Sequence, residues 1–157
     1  FGTAWLLFSD QVMDGASQAR SVYEIVQGQP CVRLQGELEP GSLNGFIQLA
    51  LPLVHSRYLF DARHFAGVRL RCRSPQADGG EGFSIQLRTR ELSMPWQHYR
   101  APFVPTAEWQ HHLIPFADFV PVQTAHVLNL ERLSRLAIVA GPPPQSVDLW
   151  LAEVGFY

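Results

Sequence analysis

The sequence predicts an all-β sandwich in one domain, and three observations carry that prediction. Glycine and proline number 12 each among 157 residues, spread along the chain as turns between many short strands require. Two stretches, GVRLRCRS and GFSIQLRTR, alternate apolar and polar side chains with the period of a half-buried strand. Leu130 and Leu133, spaced three apart, allow one or two helical turns and nothing longer. A chain of this length buries roughly 70% of its unfolded surface without staples, so residues 1–157 are expected to form a single unit.

Taken in order, AWLLFSDQVMDGASQAR opens as a short apolar strand and becomes a polar loop around Ser9, Asp10, Asp14, Gly15 and Ser17. VYEIV and CVRLQGEL follow, with turns marked by Gly28 and Pro30 and by Pro40 and Gly41. NGFIQLAL is a strand opened by Asn-Gly, a hairpin signal. SRYLFDARHF reads as a loop with one helical turn. In the two alternating stretches Val68, Leu70 and Cys72 face one way, as do Phe83, Ile85, Leu87 and Thr89. Pairing them as a hairpin through PQADGGE would place five arginines and Gln86 on one sheet face. LSRLAIVAG and VDLWLAEVGFY read as core strands. The stretch from Tyr99 to Pro121 holds three of the ten Phe and four of the twelve Pro. Pro115 near the end of HHLIPF places that strand at a sheet edge or confines the proline to a strand end, because proline cannot donate to a ladder. This stretch reads either as an aromatic corner between two sheets or as a ligand-stacking site.

Composition narrows the chemistry. Charged residues make up 17% and the net charge is −2, which argues against nucleic acid as a partner. No apolar run approaches the ~20 residues of a membrane-spanning helix. No signal peptide is visible, which favours the cytoplasm, although a chain opening on Phe1 leaves room for a removed leader. All twelve basic residues are arginine, so lysine chemistry is excluded. Cys31 and Cys72 fit neither a redox pair nor a zinc framework and read as buried thiols, with a disulfide as the alternative. His111 and His112 point to opposite faces of a strand and cannot share a metal. With no nucleophile elbow, phosphate loop or HExxH motif, the expectation is a non-enzyme.

FSDQVMDGAS, LQGEL, NGFIQL, FAGVRLRCR, GFSIQLRTR, YRAPF with EW and LIPFADFVP, and VDLWLAEVGFY stand in an order and spacing that resembles the complex I intermediate-associated protein family. The resemblance runs from about Trp5 to Tyr157. It implies a galactose-binding-like jelly-roll β-sandwich of two antiparallel sheets, related to carbohydrate-binding modules, and a non-catalytic role. Mitochondrial members of that family act as assembly factors for respiratory complex I. Asp14 stands where the family usually has glycine, and Trp150 where an acidic residue is usual.

Three candidate sites follow. Arg69, Arg71, Gln86 and Arg88 form an arginine face whose guanidinium forks suit carboxylates, phosphates or sugar hydroxyls; its alternative is a solvated sheet face. Trp96 with Tyr99 suits stacking on a sugar ring or anchoring a protein interface. Asp10 and Asp14 with Glu153 could supply oxygen ligands to a structural calcium, as in many jelly-roll binding modules; no other cofactor is expected. The partner is accordingly a protein, in an assembly-factor role, or an oligosaccharide.

Overall fold

The computed structural model describes residues 4–41, 44–55, 57–75, 82–141 and 146–157. It is an all-β jelly-roll sandwich. The strands are β1 (Leu6–Ser9), β2 (Gln18–Val26), β3 (Gln29–Glu37), β4 (Ile47–Pro52), β5 (Val54–His55), β6 (Tyr58–Leu59) and β7 (Gly67–Arg73). There follow β8 (Phe83–Thr89), β9 (His98–Pro102), β10 (Gln110–Pro115), β11 (Val120–Val122), β12 (Leu133–Ala140) and β13 (Ser146–Phe156). The first sheet has the order β1-β4-β12-β8-β9-β11 and the second β10-β7-β13-β3-β2, with β5 and β6 as a separate small ladder. Three short 3-10 turns, at Asp10–Met13, Phe116–Asp118 and Leu130–Arg132, interrupt the strands among the described residues. The sequence led us to expect one or two. SRYLFDARHF, expected to be a loop with a helical turn, instead contributes β6.

The core lies between the sheets and is built from the alternation itself. Val68, Leu70 and Cys72 of β7 meet Phe83, Ile85 and Leu87 of β8 in one buried cluster with Leu34, Leu49, Ile138 and Leu149. Each such side chain contributes about 1.5–3 kcal/mol on burial. These faces are where the sequence put them, but the pairing is not. β7 pairs with β10 and β13, and β8 with β9 and β12. The two strands therefore lie in opposite sheets, because each needs the other's apolar face across the sandwich more than its edge. NGFIQLAL forms the expected strand, β4, but its Asn-Gly opens no hairpin, because β3 lies in one sheet and β4 in the other. The true two-residue hairpin joins β2 and β3 through Gln27 and Gly28, whose φ of 52° and 76° are the left-handed values that turn requires.

The Tyr99–Pro121 stretch passes from β9 in the first sheet to β10 in the second and back to β11. β10 is an edge strand and Pro115 is its last residue, as proline demands. Phe116 packs 6.2 Å from Phe156, which stacks 4.6 Å from Phe60, so these rings serve the corner. Cys31 and Cys72 are buried free thiols, and burial pushes Cys72 up to about 12.

Two half-buried histidines give the fold a pH dependence. Burial, then the charge of His111, lowers His112 below its ordinary 6.5. Burial likewise lowers His98, helped by Arg100, Arg88 and Arg135 and opposed by the Trp96 carbonyl. Just below pH ~6.5 the unfolded chain therefore binds more protons than the folded one, and stability falls as pH drops, by at most about 1.4 kcal/mol per pH unit per histidine. Urea unfolding from neutral pH to about pH 5.5 should show this loss. His112→Gln should flatten the slope, and an unchanged slope would remove His112 from the account.

Candidate functional site

The outward faces of the two sheets differ in kind. On the second sheet, Arg33 of β3 holds Asp148 of β13 through two hydrogen bonds of 2.7 Å, which raise its pKa. Trp150 lies between two arginines, with the Arg33 and Arg73 guanidiniums 4.2 and 5.4 Å from its ring centroid. Its indole N–H donates to Glu24. Arg71 donates to Gln29 at 2.7 Å and sits over the Trp109 ring. Arg20 donates to Gln35 at 3.0 Å, beside a polar depression of about 370 Å³ lined in part by Glu37, Ser146 and Asp148. Cation–π and charge-assisted contacts thus engage Arg33, Arg71, Arg73 and Trp150 within this face.

The first sheet is organised otherwise. Its register sets Pro52, Arg135 and Arg88 side by side, and in the next row Ala50, Ala137, Gln86 and Arg100. His98 stands opposite Val122 on the edge strand β11, within the field of Arg88, Arg100 and Arg135. Ala50, Ala137 and Val139 point outward yet are buried, because Phe8 and Phe46 pack over them. Arg88 spends its guanidinium on the loop before β9. Its Nη1 donates to the carbonyls of Met94, Pro95 and Gln97 at 2.9, 2.8 and 2.5 Å, and its Nη2 to Leu92 at 3.2 Å. That loop presents Trp96, which is 52% exposed. Arg135 is half-buried and donates to no described residue. Burial, then the neighbouring Arg88, lowers its pKa.

The residues expected from sequence are therefore divided. Arg69 and Arg71 lie on the second sheet and Gln86 and Arg88 on the first, so the single arginine face does not exist. Trp96 is exposed, but Tyr99 is 1% exposed and its hydroxyl donates into the carbonyls of His126 and Val127 at 3.0 and 3.1 Å. Tyr99 faces the core from β9 and cannot stack beside Trp96. The proposed calcium ligands do not converge either. Asp10 is buried against Ser17, Asp14 is exposed at the end of a 3-10 turn, and Glu153 faces outward opposite Arg71 on the second sheet. Among the described residues no three His, Cys, Asp or Glu side chains gather as a metal site. Sequence reading missed Arg135, Arg100 and His98. Strict alternation along LSRLAIVAG and HYRAP would have placed them outward.

A profile of the family described as Complex I intermediate-associated protein 30 (CIA30) matches residues 2–143. No curated protein sequence matches the chain. Among solved structures, a family 11 carbohydrate-binding module from Clostridium thermocellum, in complex with a β-1,3-1,4-mixed-linked tetrasaccharide, is similar with TM-score 0.71 and 11% identity, over 97% of this chain and 87% of that one. A family 30 carbohydrate-binding module is similar with TM-score 0.66 and 15% identity, over 100% and 96%. An exo-β-agarase shares the fold over 90% of this chain but 22% of its own, with TM-score 0.56 and 12% identity. At such identities these likenesses speak to the fold.

Proposed function

The chain belongs to the complex I intermediate-associated protein 30 family, and on that premise we propose that it is a non-catalytic protein-binding domain. Its partner docks on the outer face of the first sheet, in an assembly role like that of the family's namesake. The observation that carries this reading lies on the first sheet: among the described residues the Arg135 guanidinium has no hydrogen-bond partner, and the loop that the neighbouring Arg88 binds presents an exposed Trp96, whereas on the second sheet Arg33 is paired with Asp148. Arginine and tryptophan are the side chains that most often anchor protein interfaces.

Oligosaccharide binding is the second reading, supported by the fold shared with carbohydrate-binding modules, one of them seen with a tetrasaccharide. Against it, the first sheet's described outward positions offer no open aromatic platform; Phe8 is packed down on small side chains. The test is affinity capture from native cell extract with the wild-type chain, Trp96→Ala and Arg135→Gln, beside a thermal-shift panel of oligosaccharides. A retained protein should weaken about tenfold or more in each variant, as interface anchors do. Retention indifferent to both variants, or a melting shift with one sugar class alone, would overturn the protein reading.

A further inference from the structure

Resting on that protein-binding reading, we propose that the outer face of the first sheet takes an acidic peptide segment, with carboxylates on Arg135 and Arg100 and apolar side chains against Trp96 and Val120. Three arginines and a histidine occupy adjacent outward positions on β8, β9 and β12. No outward position of the first sheet's described strands holds an Asp or Glu. The whole chain carries net charge −2, so this is a local concentration of positive charge against the overall balance.

Like charges held together and half-buried raise one another's cost. Arg88 offsets part of it by binding four loop carbonyls, but Arg135 has no such partner among the described residues. On the second sheet the fold supplies Asp148 to Arg33. On the first, no described outward strand position supplies a carboxylate, and a ligand's carboxylate would fit the Arg135 guanidinium fork. The flanks select a peptide over a sugar acid or a phosphate backbone. Trp96, on the loop that Arg88 binds, is 52% exposed, and Val120, opposite Arg100 on the edge strand β11, is 61% exposed. A segment mixing glutamate with leucine would meet both the charges and the apolar borders.

The experiment titrates the full chain with a glutamate- and leucine-rich peptide. Its controls are the same peptide with glutamine for glutamate, an oligogalacturonate and a short oligonucleotide, all followed by calorimetry and by amide spectra. The acidic peptide alone should bind, weaken several-fold on moving from low to physiological salt, and weaken about tenfold with Arg135→Gln or Arg100→Gln. Arg20→Gln on the second sheet should leave it unchanged. Because Arg100 is exposed, its variant answers the question even if Arg135→Gln unfolds. Equal binding of the glutamine peptide, no binding at millimolar peptide, or preference for the oligogalacturonate or oligonucleotide would overturn the proposal. If the cellular partner is lost in Trp96→Ala and Arg135→Gln but no acidic peptide competes for it, the protein-binding reading stands and the acidic segment falls.

Discussion

Gly67→Ala should lower stability by about 3 kcal/mol or more, because the added methyl meets backbone that cannot rotate away. Gly67 opens β7 opposite Pro115 of β10. A Cβ there would sit 2.2 Å from the Ile114 carbonyl oxygen and 2.8 Å from the Pro115 Cα. On its other side Gly67 accepts a hydrogen bond from the Tyr157 amide at 3.1 Å, so β7 is held between β10 and the C-terminal strand. Relief requires prising the edge strand β10 away, and with it the aromatic corner around Phe116. For a chain of this size the midpoint should fall by roughly 6–12 °C. Gly141→Ala is the control, since a Cβ there would find its nearest neighbour, the Gly45 carbonyl oxygen, at an ordinary 3.7 Å. Thermal unfolding of both variants decides the matter. Equal shifts would mean that the close approach at Gly67 is not what the glycine serves.

The fold class was legible because alternation, turn residues and the edge-strand proline are local signals with local causes. What alternation does not carry is the identity of the neighbouring strand. β7 and β8 each bury one face, and the same pattern suits two strands side by side or two strands facing each other across a core. The sandwich uses the second arrangement, and the arginine face dissolved with it. Tyr99 was misplaced because it was grouped with the exposed loop of Trp96, although it shares the inward parity of Ala101. Arg135 was hidden for a different reason. In LSRLAIVAG the outward positions after it are Ala137 and Val139, which Phe8 and Phe46 cover. A strand apolar on both faces reads as plain core, and its one outward charge is easily passed over.

Asp10 illustrates how a candidate ligand becomes a structural residue, and it carries the second large prediction. Its carboxylate is 4% exposed, accepts the Ser17 amide at 2.9 Å on one oxygen and the Ser17 hydroxyl at 2.5 Å on the other. The same hydroxyl accepts the Glu39 amide at 2.9 Å. The Asp10 and Ser17 side chains together thereby tie the end of β1 in the first sheet to the start of β2 and the segment just after β3 in the second. Gly15 has to be glycine for the loop to close, since a Cβ there would lie 2.4 Å from the Asp10 carboxyl carbon. Asp10→Ala would leave the Ser17 amide buried without an acceptor and should cost about 3 kcal/mol, or roughly 6–12 °C in the midpoint. Asp10→Asn keeps one acceptor and should cost less. With both carboxylate oxygens occupied by Ser17, added calcium should leave the wild-type midpoint where it was. A calcium-dependent rise that Asp10→Asn abolishes would return Asp10 to the role of a metal ligand, and the loop around it would then need to open to admit the ion.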